Sequence, residues 1–252
     1  MSAAMSRILL LGGSAEAGAL AEQLAEAGIP AVYSYAGAVA RPKAQPLPQR
    51  IGGFGGLDGL CAYCAAEGIT AIIDATHPFA ARMSNTAVAA AARLNLPLIA
   101  LERAPWERLP GDNWHEVADM AEAARHLIGP RIFLGIGRNE LAAFANAPGH
   151  FLLRLVDAPE SPPLPRADWI VARGPFRFED DLALLRDHAI TCVVSKNAGG
   201  SGAYAKIAAA RALGLTVVMI RRPEIALRLR VETVAEVMGW LAAHACSQLR
   251  GV

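Results

Sequence analysis

Nowhere in the 252 residues is there an apolar run long enough to cross a bilayer. The longest, such as Ile8–Leu11 and Val217–Ile220, fall far short of the roughly 20 residues a spanning helix needs. Gly12 and Gly13 cut off the first of these runs and no cleavage site follows, so no membrane span or signal peptide is expected. Cytoplasm is the expected compartment. There is no excess of one charge either: 24 basic against 23 acidic residues leave +1, which gives nucleic acid nothing to bind in bulk. A local basic cluster for a small anion remains compatible with that balance. Cysteine is scarce, at four residues, and Cys61 and Cys64 form a single C-x-x-C with no second pair. Inside the apolar helical stretch 57–67 their spacing places both on one face, so packing is expected and no metal site.

What is present is an ordinary globular composition, 54% hydrophobic and 19% charged, long enough for one large domain or two small ones. Short β-rich runs alternate with helical patterns, which predicts parallel βαβ units. Strands are expected at Arg7–Leu11, Ala31–Tyr35, near Arg50–Ile51, at Thr70–Asp74 and at Pro97–Leu101. Helices are expected at 15–27, 57–67 and 84–95, the last capped by Ser84. Pro105, Pro110 and Gly111 then interrupt the periodicity, and a second set follows. Its strands are expected at Ile132–Gly135, Phe151–Val156, Trp169–Val171, Ile190–Val194 and Thr216–Ile220. Its helices are expected at 118–127, 138–146, 179–188, 202–213 and 232–245. The expected fold is therefore α/β: two Rossmann-like doubly wound parallel-sheet domains, 1–103 and 104–252, with a cleft between them. The last helix is expected to pack back on the first domain. Ligands of such sheets bind beyond the carboxyl ends of the strands, so the loops there hold the chemistry.

The first such loop, Gly12-Gly13-Ser14-Ala15-Glu16-Ala17, lets a pyrophosphate approach the backbone at a helix N-terminus. Its spacing departs from G-x-G-x-x-G, and a tight turn without a ligand is the alternative. In the second loop an absence is the informative feature: no Asp or Glu occurs between Glu26 and Asp58, whereas Ser34, Arg41, Lys43 and Arg50 do. A carboxylate at the end of strand two would select NAD; cations there suit a 2′-phosphate, hence NADPH, unless they are merely solvated. The third loop, Gly52-Gly53-Phe54-Gly55-Gly56, allows close backbone approach to a ligand or simple flexibility. In the fourth, Asp74-Ala75-Thr76-His77-Pro78-Phe79 gathers polar groups directly after a strand.

In the second half, Gly135-Ile136-Gly137-Arg138-Asn139 repeats the glycine turn. Ser195-Lys196-Asn197-Ala198-Gly199-Gly200-Ser201-Gly202-Ala203-Tyr204-Ala205-Lys206 combines amide donors, a helix N-terminus and two lysines. Such a loop predicts an anion site, although the P-loop pattern is absent. Arg103, Arg154, Arg173 and Arg177 fall near the predicted strand ends.

Taken together these loops resemble the precorrin-6A reductase family. The matching stretches are Leu11-Gly-Gly-Ser-Ala-Glu-Ala17, Gly52-Gly-Phe-Gly-Gly56, Ile73-Asp-Ala-Thr-His-Pro-Phe-Ala80, Glu102-Arg-Ala-Pro-Trp106, Arg173-Gly-Pro-Phe176 and Val194-Ser-Lys-Asn-Ala-Gly-Gly200 with Tyr204-Ala-Lys206. They run from residue 11 to about 223 in the family's order, and the Asp-Ala-Thr-His-Pro-Phe-Ala and Ser-Lys-Asn-x-Gly-Gly segments are the specific ones. There are two departures. Ala38 stands where the family usually has Arg, leaving Arg41 or Lys43 for the 2′-phosphate, and Ala198 replaces a Ser or Thr.

The resemblance implies an NADPH-dependent reductase of a corrin-ring precursor, precorrin-6A becoming precorrin-6B. The residues expected at NADPH are Gly12, Gly13, Ser14, Glu16, Ala17, Ser34, Tyr35, Ala36, Gly37, Arg41, Gly53, Phe54, Gly55, Thr76, His77 and Pro78. The tetrapyrrole and its acid side chains are expected at Arg103, Lys196, Asn197, Gly199, Gly200, Ser201, Tyr204 and Lys206. His77, Lys196 and Tyr204 are the candidate proton donors, with bound water as a fourth. Another NADPH reductase, a nucleotide-dependent group transferase and a nucleotide sensor remain as alternatives on the same scaffold.

Overall fold

In the computed structural model, which describes residues 7–37 and 43–249 (backbone only for 245–249), strand β1 (Arg7–Leu11) shows why the layers form. Leu9 and Leu11 share an apolar cluster with Leu60, Cys61 and Cys64 of α2 (Leu57–Ala66) and Ala87, Ala90 and Ala91 of α3 (Ala81–Leu94). Ile8 and Leu10 point the other way, into a cluster with Leu20 and Leu24 of α1 (Ala15–Glu26) and Val237 of α7 (Val234–Leu249). Successive side chains of a strand alternate between faces, so a strand covered on both sides needs an unbroken apolar run. The C-x-x-C cysteines lie in this packing, and burial together with the neighbouring Cys61 pushes the Cys64 thiol up to about 11.

Around β1 a parallel sheet assembles from β2 (Ala31–Tyr35), β3 (Gln49–Ile51), β4 (Ile69–Asp74), β5 (Leu98–Leu101) and β12 (Leu229–Val231). The order is β3-β2-β1-β4-β5-β12. A second parallel sheet contains β6 (Asn113–Val117), β7 (Arg131–Gly135), β8 (His150–Leu155), β9 (Ala167–Val171), β10 (Cys192–Lys196) and β11 (Thr216–Ile220). Its order is β9-β8-β7-β10-β11-β6. Helices α4 (Met120–Arg125), α5 (Phe178–Asp187) and α6 (Ala205–Ala212) belong to this second part of the chain. In both sheets the strand order reverses at one point, between β1 and β4 and between β7 and β10, where ligand crevices of doubly wound sheets lie.

The partition of the chain differs from the sequence expectation. The described residues of 1–103 and 224–252 form one compact unit and residues 104–223 the other. Each sheet has six strands where five were expected. The added edge strands were hidden for physical reasons. In β6 only Trp114 and Val117 are buried, and β12 is three residues long with Leu229 and Arg230 exposed. Helix α3 also starts earlier than expected. Ala80 stands at its N-cap without a side-chain bond, and Ser84 lies buried inside the helix, its Oγ 3.3 Å from Thr76 Oγ1. Residues Arg138–Phe144 form a 3-10 helix where an α-helix was expected.

The returning segment is fastened by charge. Arg228 donates to Glu102 Oε2 at 2.6 Å and lies 3.7 Å from Asp74 Oδ2, with all three side chains more than nine-tenths buried. Arg230 approaches Glu102 at 3.7 Å but is mostly exposed. Removing one partner from a buried ion network leaves uncompensated charge, at a cost of about 3–5 kcal/mol. Arg228→Ala is therefore expected to lower unfolding stability by about that amount in denaturant titration, whereas Arg230→Ala changes it by less than about 1 kcal/mol. Equal effects of the two would show that β12 is held by its backbone ladder alone.

Candidate functional site

At the end of β1 the chain must turn sharply over Tyr33, and only glycine fits. A Cβ at Gly12 would lie 2.1 Å from the buried Tyr33 ring, and Gly13 has φ +125°, a conformation side chains rarely adopt. Gly13 N–H donates to the Tyr33 hydroxyl at 3.0 Å, and burial raises the pKa of that phenol. Ser14 caps α1 by accepting from Ala17 N–H at 3.1 Å and donates to Ala75 O at 2.9 Å, joining this loop to the one after β4. The amides of Ser14, Ala15 and Glu16 have no acceptor among the described residues. The result is a helix N-terminus open to an anion.

Beyond this turn lies a cavity of about 390 Å³, lined by Gly12, Ser34, Ala36, residues 52–56 and Thr76. Arg82, Met83 and Thr86 of α3 complete its wall. Arg50 shapes one side. Its guanidinium donates to Ser34 Oγ at 2.8 Å, Gly52 O at 2.8 Å and Gly53 O at 3.1 Å, and stacks 3.8 Å over the Phe54 ring. A cation thus stands at the end of β2, where an NAD-selective sheet carries an acid. Arg82 has no hydrogen-bond or ion-pair partner for its guanidinium among the described residues.

Of the residues expected at the cofactor, Gly12, Ser34, Ala36, Gly53, Phe54, Gly55 and Thr76 line this cavity. Gly13, Ser14, Glu16 and Ala17 belong to the adjoining turn and first helical turn, where Glu16 is paired at 2.7 Å with Arg103. Arg103 is the last residue of the chain's first stretch in the first unit, whereas Lys196, Asn197 and Lys206, with which it was grouped, belong to the second. Tyr35 donates through its hydroxyl to Lys43 O at 2.8 Å, and Gly37 follows β2 with φ +82°. Arg41 and Ala38 lie outside the described residues. His77 Nδ1 accepts from Phe79 N–H at 3.2 Å, which leaves Nε2 as the proton-bearing nitrogen of the neutral ring, and Pro78 shapes that turn. Sequence reasoning missed Arg82, Met83 and Thr86. Their only signal was position, one helical turn after the Asp-Ala-Thr-His-Pro-Phe loop.

The second unit has a comparable device at the β7–β10 reversal. Asn197 clamps Trp106 from both sides, accepting from its backbone N–H at 2.7 Å and donating to its carbonyl at 2.9 Å. Trp106 Nε1 donates to Gly200 O at 2.7 Å, Phe176 N–H donates to Gly202 O at 3.2 Å and Lys206 Nζ donates to Ala203 O at 2.7 Å. Arg222 holds Asn197 O and Ala198 O at 3.0 and 3.1 Å. With these carbonyls tied down, the amides of 199–203, Gly199, Gly200 and Ser201 among them, have no acceptor among the described residues. Gly199 and Gly200 both have positive φ, a nest-like geometry that favours anions.

The lysines at this loop differ from each other. Lys196 is paired with Glu140 at 2.8 Å. Lys206 is only 5% exposed; burial, then Arg154, pushes its ammonium down to about 7 against the opposing pull of Asp181. The sequence expectation that Lys206 reaches an anion directly is therefore corrected: its ammonium lies beneath the loop and holds a carbonyl. Tyr204 accepts from Arg211 Nη2 at 2.6 Å through its hydroxyl and packs 5.6 Å from the Trp106 ring.

Comparison with known proteins agrees with this construction. The family described as "Precorrin-6x reductase CbiJ/CobK" matches residues 7–242. A precorrin-6A reductase of Rhodobacter capsulatus is 54% identical over 252 residues, covering 98% of this chain and all of the relative. One from Rhodococcus erythropolis is 48% identical, covering 94% and 97%. A solved structure described as "CobK precorrin-6A reductase" superposes with a TM-score of 0.91 at 55% identity, covering 95% of this chain and 97% of that one. With this match over nearly its whole length, and with glycine-built turns at both strand-order reversals, the chain belongs to the precorrin-6x reductase family CbiJ/CobK.

Proposed function

We propose that this protein reduces one ring double bond of precorrin-6A, giving precorrin-6B, with NADPH as the reductant. The observation that carries the reading is the glycine-lined cavity at the β1–β4 reversal, with open amides at one end and arginines, in place of a carboxylate, beside β2. NADPH, when bound, supplies the hydride. The amides of residues 14–16 and the N-terminus of α1 receive its pyrophosphate. Ser34, Arg50 and the open guanidinium of Arg82 favour a phosphorylated ribose. The second unit takes the substrate: the amides of 199–203, with Lys196, receive acetate and propionate groups of the macrocycle. The proton reaches the ring from His77 Nε2, Lys196 or Tyr204, each of which carries a transferable proton, or from water. A family that reduces precorrins, and a loop that offers five free amides to anions, favour this reading over a group transferase or a nucleotide sensor. Loss of nicotinamide absorbance that depends on added precorrin-6A tests it directly.

Cofactor choice gives a first expectation. NADPH binds far better than NADH, and Arg82→Ala or Lys43→Ala narrows the gap; a lost charge-assisted phosphate contact is worth about 1.5–3 kcal/mol, or roughly ten- to hundred-fold in Kd. Equal affinity of the unmodified protein for both dinucleotides would overturn the assignment.

The glycine turn gives a second. Gly13→Val puts a β-branched side chain at φ +125°, where strain costs about 1–3 kcal/mol, and projects methyl groups into the space left for pyrophosphate. The variant is expected to fold, with a lowered Tm, and to lose NADPH binding; normal binding by the folded variant would make the turn purely structural.

A third separates the two units. Lys196→Ala raises KM for the corrin substrate, or lowers kcat/KM, while the NADPH dissociation constant stays nearly unchanged. Weakened NADPH binding with unaltered substrate affinity would reverse the assignment.

A further inference from the structure

Five charged side chains gather beneath the 196–204 loop, and their charges do not cancel. Arg154 of β8 is paired with Asp181 of α5, and Lys196 at the end of β10 with Glu140 of the 3-10 helix. Among the described residues Lys206 has no carboxylate partner. Its Nζ holds the neutral carbonyl of Ala203 and lies 5.0 Å from the centre of the Trp106 ring. Its stem runs along β7, where a Cβ on Gly135 would meet Cδ and Cε at 2.9 Å and Phe133 Cε1 at 3.4 Å. Arg154 overlies that same Phe133 ring at 4.9 Å, so a second cation faces the corner from β8.

The other neighbouring charges are already engaged. On α6 itself Arg211 is bound to Asp112 and Tyr204, and Arg222 holds the carbonyls of Asn197 and Ala198. Lys206 moreover stands in the first turn of α6, where the helix dipole opposes a cation. A buried ammonium without a counter-ion sheds its proton more easily than it remains charged. The loop whose Ala203 carbonyl it holds has amides at 199–203 with no acceptor among the described residues. Free amides and a charge-deficient lysine thus meet on one loop.

We propose that docking of a substrate carboxylate on the amides of 199–203 draws one proton from solvent onto Lys206, so that substrate binding is coupled to proton uptake. The inference rests on the reading of this loop as the substrate site. The bound anion supplies the negative charge that the corner lacks and stabilises the protonated lysine. Lys206 thereby acts as a positioning residue: charged, it grips Ala203 O more strongly and holds the receptor amides in place. The sign follows from linkage. In the free protein Lys206 titrates at about 7, and in the complex it titrates higher. Affinity is therefore full below the free value and falls as pH rises toward the bound value, by about tenfold per pH unit.

The test is calorimetric titration of the unmodified protein with precorrin-6A in two buffers of different ionisation heat. Expected uptake approaches one proton per substrate above the free value of Lys206 and falls toward zero below it. The substrate carboxylates are ionised throughout this range and contribute none. Lys206→Arg, which is permanently charged, is expected to bind substrate with an affinity nearly independent of pH and without the uptake. Lys206→Met is expected to weaken binding at least tenfold at pH 6 and little at pH 9. Tight binding without proton uptake, in a protein whose affinity still depends on Lys196, would overturn the coupling and leave the substrate loop standing. Uptake that persists in Lys206→Arg would assign the proton to another group and overturn it as well. Substrate binding indifferent to both Lys196→Ala and Lys206→Met would instead remove the loop from the substrate site.

Discussion

A guanidinium cannot be buried alone, and the path of this chain follows from where Arg228 finds its carboxylates. Asp74 ends β4, Glu102 follows β5, and both belong to the first unit. A chain that has just finished the second sheet must therefore come back to the first to satisfy them. In doing so it places Leu229–Val231 beside β5, closing an edge that would otherwise present unpaired backbone. Helix α7 then covers the Ile8 and Leu10 face together with α1. The second sheet gains its own sixth strand from Asn113–Val117, ahead of its first βαβ turn. The first unit thus takes an edge strand from far along the chain, whereas the six strands of the second are consecutive.

With the sheets completed in this way, both strand-order reversals use one physical device. In each, part of the turn's backbone is hydrogen-bonded to fixed neighbours and a run of amides is left without an acceptor among the described residues. In the first unit Tyr33 and Ser14 hold the turn so that the start of α1 stays open. In the second, Trp106, Phe176, Arg222 and Lys206 hold four different stretches of one loop. On the proposed reading a fixed backbone matters because an anion receptor made of backbone has no side-chain entropy to lose, but it works only if the backbone is already in place. Arginines divide the same labour around the first cavity. Arg50 has three of its donors on Ser34, Gly52 and Gly53 and so builds the wall, whereas Arg82 keeps its guanidinium open.

Much of this was legible beforehand. Apolar runs such as Ile8–Leu11 and Val217–Ile220 announce strands buried on both faces, since no other environment tolerates four consecutive apolar side chains in a β conformation. Glycines at 12 and 13, the acid-free stretch between Glu26 and Asp58, and the Ser195–Lys206 loop announce the turns, because a missing Cβ or a missing carboxylate is a local property. The motifs at 73–80 and 194–200 were enough to place the chain in its family.

Other features were decided only by tertiary contact. The edge strands β6 and β12 are too polar or too short to show a period, and they exist because β11 and β5 offer ladders to pair with. Ser84 looked like a helix cap, but the chain begins α3 one turn earlier and buries that hydroxyl beside Thr76. Arg103 pairs with Glu16, 87 positions away, which no local pattern announces. Lys206 looked like an anion ligand until burial beside Gly135 and Trp106 turned it into a support for the loop. By itself the sequence determined where the chain turns and which turns are built of glycine at the start of a helix, because both depend on residues adjacent along the chain. Which charges meet, and which of them remain open to a ligand, was decided by the fold, because an ion's partner is set by distance in space and by the water that burial removes.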